Sequence, residues 1–421
     1  MRIMLATDCY PPPLVGGRDL QVQMLARELS RRGHDVEVIT LAGIAGARTE
    51  TDGDILVHRM AGWSRILSRF YANPDQPFHP TIPDPGLVHS LADLVRQRRP
   101  EVVHSHSWML HSVLPFLPSR QTRLVVTMHE YSLVCPKGTF VYRDGVCDGP
   151  SFGKCVRCAS GQYGAIRSVA LTTGLALTRG LRRRVDRYLA VSTAVAMACS
   201  SLAAGGQRPI DVIPPFLPDD CFQPAGADRP AFVPATGDYV MFAGALSPHK
   251  GVDVLLEAYE ELDPAVPLVL VGLRHKDTPH HFPDGVIVVE NVPHSDVMRA
   301  WAHCAVAVVP SRWPEPFGLV AIEAMATGRP VVASSVGGLP DIVLDGVTGI
   351  LVPPGDVGAL RASILQLLAD PERRTRMGQA GRQRAASYSA SAVVPQIERV
   401  YEEVIATPPQ RVVATGRRQF R

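Results

Sequence analysis

Apolar and polar positions along the chain follow two alternating patterns. Short apolar runs, typical of strands buried on both faces, alternate with stretches that have the apolar spacing of amphipathic helices. This alternation favours a doubly wound α/β sheet with helices on both faces. The predicted strands are 2–7, 35–40, 101–104, 123–127, 188–191, 239–243, 268–271, 286–290, 305–309, 330–333 and 349–352, and the main predicted helices are 19–32, 87–97, 193–204, 252–262, 295–303, 357–368, 372–386 and 392–405.

The alternation stops once, in a polar stretch rich in proline and glycine that we interpret as an interdomain linker, 223–237. A chain of 421 residues is also too long for one comfortable core. The sequence therefore predicts two Rossmann-like domains, 1–222 and 238–388, facing each other across a cleft. A final helix, 389–406, follows, whose return to the N-terminal domain the sequence leaves open. The segment 407–421, with Pro408, Pro409 and scattered arginines, is expected to be a disordered tail.

Composition narrows the class of protein. Hydrophobic residues at 46% and charged residues at 20% are typical of a soluble globular protein, and a net charge of +3 gives no argument for nucleic-acid binding. The segment 1–7 is too short for a secretory signal and resembles a first buried strand. Eight cysteines in a chain of this size do not indicate a secreted disulfide scaffold. We expect a cytoplasmic protein.

Two glutamates, Glu315 and Glu323, carry the most specific signal. Between them Pro316-Phe317-Gly318 forms a turn, and a helical run begins at Leu319. A helix that opens after such a turn presents unpaired backbone N–H groups, which suit a phosphate. Two carboxylates beside a phosphate would repel it, so we expect them to bind hydroxyls on either side. Hydroxyl, phosphate and hydroxyl is the layout of a nucleotide sugar.

Further candidates for an anionic ligand follow the first strand of each predicted domain. Gly16-Gly17 opens a helix and leaves N–H groups accessible, and Lys250, in the loop that starts at Gly244, is a point charge suited to a diphosphate. Each is also compatible with an ordinary strand–helix loop. No G-x-G-x-x-G occurs there, which disfavours a dinucleotide cofactor.

With the surrounding P-S, P-F-G and A-M-A-T-G-R-P-V-V-A, the Glu315–Glu323 segment resembles the retaining glycosyltransferases of family 4 (glycosyl transferases group 1), which have the GT-B fold. The resemblance extends from Met1 to about Tyr401. It implies that Glu323 holds the ribose, Glu315 the transferred sugar, and Lys250 the leaving diphosphate. It gives His129 a catalytic role beside the sugar and acceptor. Its other donor-binding residues are Gly16, Gly17, Gly244, Asn291, Val292, Ser311, Arg312, Phe317, Gly318 and Leu319.

The sequence departs from that family at one position. Ala245 stands where the family usually has an arginine, a second cation for the diphosphate. Arg312 compensates for this loss only if its side chain turns inward. The resemblance otherwise implies that the acceptor is attacked on the face from which the diphosphate departs, with no covalent intermediate. The Asp52-Gly53-Asp54 segment is interpreted as a turn, and no catalytic metal or other cofactor is expected.

Four cysteines cluster in the first predicted domain, within an insertion at 135–158. Cys135, Cys147, Cys155 and Cys158 suggest a structural zinc site in a cytosolic chain, and an iron–sulfur cluster would use the same ligands. The alternative is a loop of free thiols, because the spacing is looser than that of a standard zinc finger.

A basic segment follows the apolar stretch 169–177. Its arginines, Arg179, Arg182, Arg183, Arg184 and Arg187, are compatible with an interfacial helix that meets anionic lipid and a lipid-linked acceptor. We favour an ordinary domain helix with a solvated face. Weak peripheral contact with the membrane's inner face remains an alternative.

The sequence as a whole predicts a retaining transfer of sugar from a nucleoside-diphosphate sugar to an unidentified acceptor. Two alternatives stay open, a nucleotide-sugar epimerase of the same fold and a non-catalytic nucleotide-sugar scaffold. The second is motivated by Ala245.

Overall fold

The computed structural model describes residues 1–12, 16–43, 46–63, 79–117, 119, 121–143, 145–202, 210–223, 226, 228–262, 266–279 and 281–407. The predicted tail beyond Thr407 and three linker residues, Pro224, Ala225 and Ala227, lie outside these ranges.

The described strands and helices alternate through both halves of the chain. The strands are β1 (Arg2–Thr7), β2 (Asp35–Leu41), β3 (Arg48–Asp52), β4 (Ile55–Met60), β5 (Val102–Ser105), β6 (Arg123–Met128), β7 (Val141–Tyr142), β8 (Gly145–Val146), β9 (Arg187–Ala190), β10 (Ile210–Val212), β11 (Val240–Ala243), β12 (Leu268–Val271), β13 (Val286–Val289), β14 (Val306–Val309), β15 (Val331–Ser334) and β16 (Gly349–Val352). The helices are α1 (Gly17–Arg31), α2 (Pro85–Arg98), α3 (Leu110–Val113), α4 (Phe152–Tyr163), α5 (Ala165–Leu177), α6 (Arg179–Arg182), α7 (Thr193–Ala198), α8 (Val252–Glu260), α9 (His294–His303), α10 (Leu319–Ala326), α11 (Leu339–Ile342), α12 (Val357–Ala369), α13 (Pro371–Ala385) and α14 (Ala390–Ala406).

Two parallel sheets form the framework, as the alternation predicts. The first has the order β10-β9-β6-β5-β1-β2-β4-β3, with only the β3–β4 pair antiparallel among its described pairs, and the second has the order β13-β12-β11-β14-β15-β16. In each sheet the chain first adds strands on one side of its first strand and then on the other. Loops at the carboxyl ends of the strands therefore separate at β1/β5 and at β11/β14, which is where ligands bind in open sheets of this kind. The fold is GT-B, with two Rossmann-like domains.

Helix α14 packs on the first sheet although it follows the second. Seven of its apolar side chains enter the core below β1 and β2, among them Val393, Ile397 and Tyr401. On the surface, Arg32 donates to the Glu398 carboxylate through Nε at 2.9 Å and through Nη2 at 2.7 Å. The helix thus belongs spatially to the first half of the chain, while the exact domain boundaries stay predictions.

The structure departs from the predicted elements in several places, and β7, β8 and β10 are among the strands that were not predicted. The predicted helix 193–204 ends as α7 at Ala198, followed by a 3₁₀ turn at Ser200–Leu202. Strands β3 and β4 were not predicted, because the residues of β3 are polar and it lies at the sheet edge. Gly53 and Asp54 form the turn between them, while Asp52 ends β3.

The described helices include none that is both long and apolar enough to span a bilayer.

Candidate functional site

Two loops of the second sheet meet at its switch point. The β11–α8 loop contains Gly251, which has φ 76°, and a Cβ at this position would lie 1.9 Å from the carbonyl oxygen of Pro310. Only glycine fits both the backbone conformation and the space. Its close approach brings Lys250 beside the β14–α10 loop, which carries Ser311 and Glu315.

Glu315 is the centre of this arrangement. Glu315 is 8% exposed. Its carboxylate accepts hydrogen bonds from Lys250 Nζ at 2.9 and 2.7 Å, from Ser311 Oγ at 3.1 Å and from Trp313 Nε1 at 3.0 Å. Burial alone would raise the pKa of this carboxyl, but the Lys250 ammonium and the three donors outweigh burial and lower it. Glu315 is therefore a carboxylate at neutral pH and is held in one orientation.

A third loop fixes the backbone of Glu315. Gly338 donates its N–H to the Glu315 carbonyl oxygen at 2.7 Å. Gly337 has φ 63°, and a Cβ there would lie 2.1 Å from the same oxygen. The Gly337-Gly338 pair is thus needed for close packing against the glutamate loop.

Helix α10 begins directly after this loop. Gly318 has φ 121°, and a Cβ on it would lie 2.6 Å from Leu339 Cδ2. Within the described ranges no side chain caps α10. In its first turn the N–H groups of Leu319 and Val320 are available to a ligand, whereas the Ala321 N–H donates to the Gly318 carbonyl oxygen at 3.0 Å. The Phe317 ring packs edge-on against Tyr388 and anchors the turn in the core.

Glu323 lies on α10 beside a different set of partners. Its carboxylate meets His294 Nε2 at 3.0 Å and accepts from Trp301 Nε1 at 3.4 Å. The hydrogen bond to Glu323 raises the pKa of His294. Asn291, with φ 56°, turns the chain into α9, and Val292 packs partly buried against the core. The structure thus connects the Asn291–Val292 loop with Glu323 through His294, which the sequence analysis had not singled out.

Arg312 does not lie with Lys250 and Glu315. Its guanidinium donates to Asp253 Oδ2 at 2.8 Å, and both side chains of this pair are substantially exposed. Gly244, another of the predicted donor-binding residues, packs against Gly272. A Cβ on Gly272 would lie 1.7 Å from the Gly244 carbonyl oxygen. Ala245 is exposed, and the inward turn of Arg312 that would compensate for it is absent from the described structure.

Three histidines line the carboxyl ends of β5 and β6 in the first sheet. His129 Nε2 lies 2.9 Å from His106 Nδ1, and the His104 and His106 rings are 4.0 Å apart. His104 shares hydrogen bonds with Tyr401 Oη at 2.6 Å and Thr127 Oγ1 at 2.7 Å. Burial lowers the pKa of all three, that of His106 to about 3. The histidines are therefore neutral hydrogen-bonding groups at physiological pH.

A charged group beside these histidines escaped the sequence analysis. Arg18 follows Gly16-Gly17 at the start of α1 and forms ion pairs with Asp19 at 3.4 Å and Glu130 at 3.5 Å. Asp8, directly after β1, accepts from Ser107 Oγ at 2.6 Å and from the Met109 N–H at 3.0 Å. In the sequence, the position of these residues was the signal that could have indicated a role in the site. Each of them directly follows a strand or lies beside the start of a helix.

The two domains touch close to the glutamate loop. Thr193 donates its backbone N–H to Asp341 Oδ2 at 2.7 Å, and a Cβ on Gly338 would lie 2.9 Å from Ser192 Cβ. The first residues of α7 therefore face the loop that holds Glu315. The histidines of the first sheet and the residues around Glu315 in the second lie on either side of one cleft.

The four clustered cysteines do not form a metal-ligating set. Cys135, Cys147, Cys155 and Cys158 are all free and partly buried, and no group of three or more potential ligands is assembled among the described residues. Burial raises the pKa of Cys135 and Cys155. Cys158 Sγ instead lies 3.5 Å from the Val141 carbonyl oxygen. The zinc site and its iron–sulfur alternative stay predictions from the sequence.

Comparison with known proteins agrees with this geometry. Residues 16–215 match the family described as glycosyl transferase 4-like domain, and residues 228–384 match glycosyl transferases group 1. A D-inositol 3-phosphate glycosyltransferase of Kineococcus radiotolerans is 30% identical over 427 residues, covering 93% of this chain and 91% of the relative. A glycogen synthase of Mycobacterium tuberculosis is 27% identical over 414 residues, covering 92% and 91%.

A solved structure extends the likeness to the fold. Sucrose-phosphate synthase from Thermosynechococcus elongatus superposes with a TM-score of 0.72 at 23% identity, covering 96% of this chain and all of that one. The sequence matches and the shared GT-B architecture lead to one conclusion: the chain belongs to the family 4 glycosyltransferases, enzymes that transfer a sugar from a nucleotide-sugar donor.

Proposed function

We propose that this protein transfers a hexose-like sugar from a nucleoside-diphosphate sugar to an acceptor hydroxyl with retention of anomeric configuration. The observation that carries the proposal is the fixed Glu315 carboxylate, held between Lys250 and the open first turn of α10. A hydroxyl-binding carboxylate, a cation and free N–H groups adjoin one another there, as a sugar diphosphate requires.

Each group has a distinct part in the proposed reaction. Lys250 and the first turn of α10, from Leu319, stabilise the diphosphate as negative charge develops on it, an electrostatic contribution that is in place before reaction. Glu315 orients hydroxyls of the transferred sugar, and Ser311 helps to orient Glu315. Glu323 binds the ribose, and the backbone at Asn291 and Val292 holds the base.

The acceptor is proposed to enter from the first sheet. His129 is neutral, so it can accept or donate a hydrogen bond to the acceptor or the sugar without adding charge, and His106 fixes its ring through Nε2. Gly16 and Gly17 lie at the start of α1, which would face the diphosphate. The leaving phosphate takes the acceptor proton in this scheme, and no cofactor is required. None of the eight cysteines, all of which lie in the described ranges, forms a disulfide, which is compatible with a reducing cytoplasm.

The proposal is tested first by thermal shift with a panel of nucleoside-diphosphate sugars. Stabilisation by one donor in the wild type, lost in Glu323→Ala, is expected. Glu403→Ala, in a surface pair with Arg187 far from both loops, is the matched control and should respond like the wild type. A donor that stabilises Glu323→Ala as strongly as the wild type would refute the assignment of Glu323.

Anomeric outcome requires its own measurement. Proton NMR of the product, made with a donor of known anomeric configuration, should give a coupling constant for the same configuration. The inverted anomer would refute the retaining reaction while leaving donor binding intact.

A scaffold without turnover is the alternative that Ala245 motivated, and the relatives, which are named as glycosyltransferases and synthases, do not favour it. Because its side chain faces open space, Ala245→Arg should add a cation without steric conflict and strengthen donor binding by about tenfold. Donor binding without transfer or hydrolysis in either form would favour the scaffold. The names of the relatives do not favour an epimerase.

A further inference from the structure

Helix α5 leaves an apolar stripe uncovered. Ile166, Val169 and Leu177 are 87%, 45% and 71% exposed, and Ala170 between them is exposed as well. Val169, Ala170 and Leu177 follow Ile166 by three, four and eleven residues, so all four lie on one side of the helix. The opposite side, including Ser168, Thr172 and Leu175, is buried against the domain. An apolar stripe of this kind on a soluble protein usually marks a contact surface.

The same segment is strongly basic. From Ser151 to Val185 the chain has seven basic residues and no acidic residue. Because the whole chain carries +3, the remaining residues carry a net charge of −4. Arg179 and Arg183, immediately after α5, are exposed, as is Arg157 on α4. Positive charge is therefore concentrated around the apolar stripe.

We propose that this surface, the α5 face (Ile166, Val169, Ala170, Leu177, Arg179 and Arg183), docks on a membrane containing anionic lipid. Apolar side chains on one side of a helix with arginines at its end are the pattern of a helix that lies in the membrane interface. Each arginine near an anionic surface strengthens binding by about fivefold.

Charge argues against a second copy of this chain as the occupant. In a symmetric dimer the same surface meets itself, so the basic segment of one copy would face that of the other. Like charges across such a contact repel and have no carboxylate within the segment to offset them. An anionic lipid surface satisfies both the apolar and the basic part.

The α5 face is held rigidly against the first domain. Thr81 Oγ1 donates to the Leu171 carbonyl oxygen at 3.0 Å, and a Cβ on Gly174 would lie 2.1 Å from Thr81 Oγ1. The guanidinium of Arg182 donates to the carbonyl oxygens of Leu133 and Leu175. Through Arg182, α5 is tied to the loop that follows His129.

The test is co-sedimentation of the full chain with vesicles of phosphatidylcholine alone and of phosphatidylcholine mixed with phosphatidylglycerol. The wild type should pellet with the mixed vesicles and remain in solution with the neutral ones, and added salt should weaken the binding. Ile166→Glu combined with Leu177→Glu should reduce partitioning by about tenfold or more. Arg179→Gln combined with Arg183→Gln should reduce it by about twentyfold to thirtyfold.

Val347→Glu is the matched control. Val347 is 53% exposed in the second domain, so its change adds one of the two carboxylates of the double variant away from the α5 face and should leave vesicle binding unaltered. Donor-induced thermal shift should be unchanged in all these variants, because the inference does not depend on the sugar-transfer chemistry.

Three outcomes would overturn the proposal. The first is a wild type that does not pellet with anionic vesicles. The second is an equal loss of binding in Val347→Glu. The third is a wild-type dimer that Ile166→Glu with Leu177→Glu converts to a monomer, which would make a second copy the occupant.

Discussion

The two sides of the cleft are built in different ways. On the donor side, Lys250, Ser311 and Trp313 surround one carboxylate, that of Glu315, and the loops that carry them meet at glycines with no room for a side chain. On the acceptor side, His106 and His129 are neutral and contact each other, and the charges of Asp8, Arg18 and Glu130 lie around them.

The difference shows where specificity can vary. The donor side depends on backbone contacts that almost any substitution would disturb, so it suits a ligand part that does not change, such as a diphosphate. The acceptor side depends on side chains contributed by three separate strand ends, each of which can be exchanged without moving the backbone. We therefore expect acceptor choice to respond to substitution more readily than donor choice.

The largest effect is expected from Gly337→Ala. A Cβ there would lie 2.1 Å from the Glu315 carbonyl oxygen at a φ of 63°, so the glutamate loop must move. We expect a loss of about 4 kcal/mol in the free energy of unfolding, and loss of the donor-induced shift. Urea denaturation measures the first and thermal shift the second.

Gly346→Ala separates the two causes. Gly346 has a similar φ, 72°, but a Cβ there would meet no described atom within 4 Å. Only backbone strain remains, worth about 1 kcal/mol. Equal losses for the two variants would mean that close packing against Glu315 is unimportant.

Glu315→Ala should have the next largest effect. It leaves Lys250 without its carboxylate in a mostly buried site, which costs about 3 kcal/mol of stability, and it should lower kcat by about 100-fold. Arg312→Ala is the matched change in an exposed pair and should cost no more than about 0.5 kcal/mol. If Arg312→Ala also abolished donor binding, the predicted role of Arg312 at the diphosphate would return despite its pair with Asp253.

Tyr401→Phe tests the acceptor side. It removes the hydroxyl that shares a hydrogen bond with His104 and leaves a buried ring nitrogen without that partner, so we expect a loss of about 1.5 kcal/mol. Chemical denaturation measures it. The donor-induced shift should be unchanged, and a parallel loss of donor binding would contradict the separation of the two sides.

The smallest effect is expected from His294→Asn, and it should depend on pH. The bond to Glu323 raises the pKa of His294, so its stabilisation is fully present below the unfolded pKa and is lost as the pH rises through the folded one. At pH values below about 6.5, the wild type should have a higher Tm than the variant and a free energy of unfolding larger by about 0.5 kcal/mol or less, because the side chain is half exposed. The difference should shrink at alkaline pH. His89→Asn, in an exposed pair with Asp93 on α2, controls for loss of a surface histidine.

The sequence predicted the framework and the cluster around Glu315 better than the groups around His106 and His129. Strand–helix alternation is a local pattern, so both sheets followed from it, and most donor residues lie within single loops. Asp8, Arg18 and Glu130 come together only through the strand order of the sheet, which no local pattern contains. Arg312 shows the converse, because its sequence position beside Ser311 does not reveal that its side chain pairs with Asp253.

Edge strands and exposed faces were the other difficulty. The residues of β3 alternate too weakly in polarity to indicate a strand, and pairing with β4 decides its conformation. The apolar stripe of α5 looks like the buried side of a helix in the sequence. Only the packed structure shows which side faces solvent.

The position of α14 sets the order in which the molecule can be completed. The core beneath β1 and β2 contains side chains from Ala390 to Val404. Among the residues that build this core, these are the last to leave the ribosome. Until they arrive, the nascent first domain exposes the apolar surface that α14 will cover, whereas the second domain, 238–388, is already whole. A fragment ending at Phe222 should therefore aggregate, and the half made first should reach its native state last.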